Sequence, residues 1–325
     1  MNIGVDAAAF GMSNAVVASV DNASAGYWNP AGLTHLEDNQ LGLMHASYFA
    51  NIAQYDYAGF AMPIDSVSAF AVSMLRFGVD DILNTTQLID EEGNIDYNNI
   101  SLFSAADYGF VFSYARKPHV EGLSYGVNAK VIRRIIGDFA SSWGFGFDLG
   151  LQYRKNNWHF GLMLRDITTT FNTWRIDEDL FNAVSDEIPE QELPETTEIT
   201  LPKMQLGASR TFLFNNRYSL MAEIDLNMRF AATEDLISSS FVSISPAAGV
   251  EFAYTRMAFL RVGIGNFQHA TDLSGSESLS FQPNIGIGFK YKGIQIDYAL
   301  TDIGDQSAAI YSNVFSLKMD WELFR

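Results

Sequence analysis

The chain has 325 residues, 38 acids against 20 bases, a net charge of −18 and no cysteine. That balance excludes a basic nucleic-acid-binding face, and the missing thiols exclude a disulfide framework and thiolate chemistry. Aromatics reach 14 % and charged residues only 18 %, below the roughly 25 % of soluble domains, yet mean hydropathy is +0.02 and no window holds the roughly 18 apolar residues of a spanning helix.

One membrane class survives these limits. The strands of a transmembrane β-barrel alternate apolar and polar residues, so their mean hydropathy averages near zero. In chain order, "MNIGVDAAAFG" has no basic n-region and is not a signal peptide. An exported barrel then implies a leader removed ahead of this numbering. The first 33 residues do not alternate. Asp6–Ser19 is small and apolar, and Asp21 is expected to N-cap one helical turn through Tyr27 and Trp28. Pro30 forces Asn29 out of the helical region, and Gly32 eases the next turn. Residues 1–38 therefore read as a compact plug or hatch, the plainer alternative being a tail that closes one barrel end. Residues 39–325 read as the barrel.

Alternation then dominates. In Trp143–Arg154 the odd positions are Trp143, Phe145, Phe147, Leu149, Leu151 and Tyr153, against glycines, Asp148, Gln152 and Arg154. Leu279–Tyr291 repeats the pattern, and Tyr218–Arg229 sets Glu223, Asp225, Asn227 and Arg229 opposite an apolar face. Aromatic-ended apolar faces fit the girdles at two membrane interfaces. About fourteen such segments are predicted, at 41–50, 53–63, 67–77, 105–116, 123–136, 142–154, 158–166, 202–214, 217–229, 244–255, 257–265, 279–291, 294–301 and 310–323. The connections after even-numbered strands are short, while those near 78–104, 167–201, 230–243 and 266–278 are long. Long outer loops and short periplasmic turns are the rule for bacterial barrels, which puts both termini in the periplasm. Alternation slips at "VIRRIIG", and Pro283 inside a strand predicts a bulge or a missing ladder bond.

No catalytic motif is present. The five histidines are scattered, and no HExxH, GxSxG, Walker loop or CxxC occurs. The chain is read as non-enzymatic, with no cofactor and no metal site. Inward charges are predicted at Lys130, Asp148, Glu223, Asp225, Arg229, Glu251, Lys290, Asp297, Lys318 and Asp320. They form either a cross-strand ionic network filling a narrow barrel or a polar conduit. The long segment after the seventh strand carries Asp177, Glu178, Asp179, Asp186 and Glu187 and no base as far as Glu198. It reads as a solvated loop or a partner-docking loop. EF-hand spacing is absent.

"AFGMSNAVVASVDNASAGYWNPAGL" resembles the opening of the PorV/PorQ-type outer-membrane proteins, which are themselves similar to the FadL family of long-chain fatty acid transporters. The shared features are a small-residue run, an acidic-small step and an Asn-Pro-Ala turn, here Gly11–Ala15, Asp21–Ala23 and Asn29–Ala31. Tyr27 and Trp28 ahead of "NPAGL" look more like the PorV/PorQ side. The resemblance implies a FadL-like barrel with an N-terminal hatch. For PorV-like members it implies type IX secretion, with the translocon and secreted cargo as partners. For FadL-like members it implies passage of hydrophobic small molecules through a plugged barrel with a lateral opening. No aromatic-lined, net-cationic pocket for a carboxylate ligand is visible in the sequence.

The expectation is an all-β transmembrane antiparallel β-barrel of about fourteen strands in the outer membrane of a Gram-negative bacterium, in contact with outer-membrane lipids and not nucleic acid. The leading functional expectation is a PorV-like accessory or shuttle of type IX secretion. The alternatives are a FadL-like transporter of hydrophobic compounds and a structural subunit of a larger complex.

Overall fold

The computed structural model describes residues 3–48, 52–86, 88, 93–177, 196–233, 235–271, 277–301 and 312–321. Two short helices, α1 (Ala7–Gly11) and α2 (Ala25–Trp28), and a 3-10 turn at Pro30–His35 precede the strands. The strands are β1 (Gln40–Tyr48), β2 (Ala53–Pro63), β3 (Ser68–Asn84), β4 (Ser101–Arg116), β5 (Leu123–Ile136), β6 (Ala140–Lys155), β7 (Trp158–Arg165), β8 (Thr170–Ile176), β9 (Thr197–Thr200), β10 (Lys203–Phe214), β11 (Tyr218–Arg229), β12 (Ile237–Ser238), β13 (Ser243–Tyr254), β14 (Ala258–Thr271), β15 (Glu277–Tyr291), β16 (Ile294–Thr301) and β17 (Ser312–Asp320).

All pairs are antiparallel. β7 pairs with both β6 and β10, β11 with β13, and β17 closes on β1. Omitting β8, β9 and β12, fourteen strands form a closed ring. Closure leaves no unpaired edge along the wall, as lipid requires. The side-chain period of two fixes which residues face out. On β6 Trp143, Phe145 and Phe147 are exposed while Ser142, Asp148 and Gln152 are buried. So much exposed aromatic and aliphatic surface is foreign to soluble monomers and suits a lipid belt. Tyr218, Tyr254 and Tyr291 lie beside the short turns, whereas Trp143 and Phe281 lie toward the long connections. The Asn215–Asn216 and Thr255–Arg256 turns have positive φ at both residues, the geometry that matches strand twist in two-residue hairpins.

The long connections are shorter than the alternation indicates. β3 and β4 run on to Asn84 and back from Ser101, past a register shift between Val79 and Ile82. β14 and β15 likewise continue past a shift between Gly265 and Gln268, next to the Ile264–Pro283 pair. Each bulge inverts the in/out pattern, so the periodic signal ends there although the strand does not. The segment near 167–201 contains the β8–β9 hairpin, and 230–243 contains β12. At "VIRRIIG", β5 keeps an unbroken register on both sides, so the apparent slip is only a change of residue type.

Candidate functional site: a plugged lumen

Residues 3–36 sit inside the ring and form its hydrophobic core. Val5, Ala7, Met12, Val17, Trp28 and Leu33 are all buried. The wall makes room for them with glycine. A Cβ at Gly126 would meet the Pro30 carbonyl carbon at 2.5 Å, and one at Gly249 would meet the Met12 oxygen at 2.6 Å. Cβ atoms at Gly150 and Gly161 would overlap Asn29 and Val17. The glycine-rich inner face is therefore the surface that the plug seats against. Replacing Gly126 by valine should destabilise the closed form by about 1–3 kcal/mol through overpacking. Heat-induced unfolding in detergent checks this, and an outward Ala129→Val change on the same strand should leave the midpoint unmoved.

Polar wall side chains satisfy the backbone of the plug, as buried amides and carbonyls demand. The amides of Val16 and Val17 donate to Asp225 Oδ2 at 3.0 and 3.1 Å, and Ala18 donates to Glu223 Oε1 at 2.7 Å. Gln152 donates to the Val20 carbonyl at 3.0 Å, and Asn128 to that of Gly26 at 2.9 Å. Within the plug, Trp28 donates to Val5 O at 2.8 Å and Tyr27 to Ile3 O at 2.5 Å. Asn29 is extended at φ −159 and its amide bridges Val17 O and Leu151 O, each at 3.0 Å. Pro30 opens the 3-10 turn. Asp21 does not cap α2. Ser24 holds the N-cap position, Asn22 accepts the Ser24 amide, and Asp21 lies 3.5 Å from Arg154 at the surface of the plug. Gly32 has no strained φ; any Cβ there would strike the Val20 carbonyl, so its role is close packing. Burial, with Arg154 second, holds the His35 imidazole down to about 3, so the ring is neutral at pH 7.

By strand alternation the ten predicted charges stand at inward positions, and two networks hold five of them, Lys130, Asp148, Glu251, Asp297 and Lys318. In the first, Asp6 of the plug meets Lys318 at 2.8 Å, Lys318 meets Asp297 at 3.0 Å, Asp297 meets Arg261 at 2.7 Å and Arg261 meets Glu251 at 2.6 Å. In the second, Lys130 lies 2.7 Å from Asp148 and 2.6 Å from Asp166. Asp166 arrives there because residues 166–169, with positive φ at Asp166 and Thr169, interrupt the strand between β7 and β8 and turn inward. Its amide donates to Asp148 Oδ1 at 2.9 Å. Lys290 and Asp320 pair at 3.6 Å near the short turns, and Arg229 lies 3.8 Å from Asp235. Sequence reasoning missed Asp6, Arg261 and Asp166. Arg261 stands at an inward step of the β14 alternation and Asp6 is a lone acid in an apolar run, which were the available signals. Of the five acids singled out in the acidic loop, only Asp177 is described; Glu178, Asp179, Asp186 and Glu187 lie outside the described residues.

The plug divides the lumen. On the long-connection side is a cavity of about 220 Å³ lined by Tyr27, Trp28, Arg165, Lys203, Gln205 and Arg229, with Ala247 and Met228 among its apolar members. The Arg165 guanidinium lies 4.6 Å from the Tyr27 ring and 5.9 Å from that of Trp28. Folding thus builds an aromatic-floored, cation-bearing pocket from β7, β10 and β11 that no local motif displays. A smaller cavity of about 50 Å³ on the other side of Tyr27 is lined by Leu75, Val111, Ile132 and Lys130. Toward the short turns is a polar vestibule of about 490 Å³ bordered by His159, Glu251, Arg261, Lys290 and Lys318. Trp28 borders both the upper cavity and the vestibule and is only 4 % exposed.

No protein-family model matches the chain, and no curated protein matches it in sequence. Solved structures do share the fold. The Pseudomonas putida toluene transporter TodX superposes with a TM-score of 0.61 at 13 % identity over 98 % of each chain. A Pseudomonas aeruginosa FadL homologue gives 0.59 at 13 % over 99 % of each. The CymD monoaromatic hydrocarbon channel gives 0.57 at 12 % over 97 % of this chain and 96 % of that one. The chain has the architecture of FadL-type outer-membrane barrels.

Proposed function

We propose that the protein is an outer-membrane channel that takes small hydrophobic compounds from the long-connection side, holds them above the plug and releases them to the periplasm, where both termini lie. The observation that carries this reading is the pocket between Tyr27, Trp28 and Arg165, floored by the plug. Its volume of about 220 Å³ lies below the roughly 300–1,000 Å³ of drug-sized ligand sites, which restricts it to a monoaromatic or short-chain molecule. Among the barrels that share its fold, a toluene transporter and a monoaromatic hydrocarbon channel agree with that class. The cations Arg165, Lys203 and Arg229 add a place for a polar or anionic end. A PorV-like secretion role rests on the "YWNPAGL" motif alone, because nearly all of the acidic segment invoked for partner docking lies outside the described residues. It is the second reading.

Trp28 borders the pocket, so ligand entry should change tryptophan fluorescence. Toluene and decanoate added to the detergent-solubilised barrel are expected to give saturable quenching. Ala247→Trp, which fills the pocket from the β13 wall, should weaken that binding about tenfold or more, the equivalent of ~1.4 kcal/mol. Absence of saturable binding in the unmodified protein would remove the transport reading, leaving the secretion reading to be tested by co-purification of translocon components.

A further inference from the structure

One sector of the outer wall breaks the apolar pattern. On β6 the outward positions are apolar from Trp143 to Tyr153, and on β15 from Leu279 to Tyr291. Across β1, β2 and β3 the run stops short. His45 follows Leu43, Asp56 stands next to Ala58, and Arg76 follows Met74. The strand register aligns His45 with Asp56 and Asp56 with Arg76. His45 Nδ1 is 2.7 Å from Asp56 Oδ1, Arg76 is 3.9 Å from Asp56, and Arg76 is 2.8 Å from Asp80. The His45, Asp56 and Asp80 side chains remain 53 %, 43 % and 40 % exposed.

This row lies three residues from the β1–β2 turn, at Tyr48 and Ala53, and well above the aromatic level beside the short turns. Asp56 stands two outward steps above Phe60, whose ring meets that of Trp321 at 6.2 Å beside the short turns. With ~3.3 Å per residue and a strand tilt of 35–45°, that is roughly 10 Å up a belt about 25 Å tall. Among the described residues outside β1, β2 and β3, the outward charges of the barrel strands are single cations: Arg116, Lys155 and Arg210 toward the short turns, Arg133 and Arg175 toward the opposite rim. A charge facing lipid at this depth is unfavourable, and pairing along the row leaves the open sides of His45, Asp56 and Asp80 uncovered.

We infer that this sector is the interface between two copies of the chain standing side by side in the membrane. The row sets an imidazole and a carboxylate side by side on β1 and β2 and is therefore self-complementary. A two-fold axis along the membrane normal, between β1 and β2, sets His45 of each copy against Asp56 of the other, as an isologous contact requires. Ala58 is exposed and small, so the two walls can approach there, with Leu43, Phe60 and Phe315 packing around it. Two carboxylates in the row disfavour a lipid phosphate as the occupant.

The chain lacks cysteine, so one introduced thiol reports cleanly. Ala58→Cys in intact membranes is expected to give an oxidatively cross-linked homodimer, at least about tenfold above Ile224→Cys on the opposite wall. Asp56→Lys added to Ala58→Cys should abolish the excess while heat-induced gel mobility still reports a folded barrel. Native mass spectrometry of the unmodified protein should show the dimer mass. Equal cross-linking at both positions, a monomer mass, or a cross-linked product containing a different protein would each overturn the inference.

Discussion

Replacing Trp28 by alanine will join the upper cavity to the vestibule and turn a closed barrel into a leaky one. The indole borders both spaces, is almost fully buried and is held by its bond to Val5 O. It packs edge-on to Tyr27, with ring centroids 5.2 Å apart. Tyr27, the other bulky residue of α2, is held in its own place by Ile3 O and by the Arg165 guanidinium. Truncating a buried tryptophan costs about 3–5 kcal/mol, and in a plug this cost falls on the seating of the plug and not on the strand ladder. Reconstituted into liposomes, the variant should pass a small charged solute about tenfold faster than the parent, in the direction of barrels whose lumen holds water. Trp28→Phe keeps one aromatic ring but loses the N–H bond, worth about 1 kcal/mol, and part of the indole volume, and should leak far less than the alanine variant. Equal permeability of the alanine variant and the parent would show that the plug seals elsewhere.

Replacing Lys318 by methionine should have the largest effect on stability. Lys318 is buried between Asp6 and Asp297, and Asp297 keeps Arg261 when it is removed. Asp6 keeps only the Ala8 amide at 3.1 Å and the Ser24 hydroxyl at 3.4 Å. A buried carboxylate stripped of its cation costs about 3–5 kcal/mol. The expected result is a lower unfolding midpoint and new protease sensitivity within residues 3–24, with the barrel strands still protected. Adding Asp6→Asn removes the stranded charge and should restore most of the loss. An unchanged midpoint for Lys318→Met alone would mean that water already solvates Asp6.

The wall was legible in the sequence because its period of two is imposed by lipid on one side and the plug on the other. Each predicted strand overlaps an observed one. The limits failed at Val79–Ile82 and Gly265–Gln268, where bulges reverse which residues face out. The β8–β9 hairpin was hidden by the inward turn at 166–169, which ends the alternation of β7. Inward charges were readable one by one from the same period. Their partners were not, since Lys318 finds Asp6 across almost the whole chain and Asp166 reaches Lys130 only because a strand is broken. The pocket was illegible for a related reason. Tyr27, Arg165, Lys203 and Arg229 come from the plug and three strands, and they converge only when the ring closes around the plug.

The central claim is that the space between Tyr27 and Arg165 receives a hydrophobic ligand. Anomalous diffraction at the bromine edge, from crystals of the full chain soaked with 4-bromotoluene, tests it directly. The account predicts a bromine peak above the plug, within the cavity bordered by Trp28, Arg165 and Lys203, and its loss in Ala247→Trp. A lumen without bromine, with peaks only on the lipid-facing wall, would contradict it.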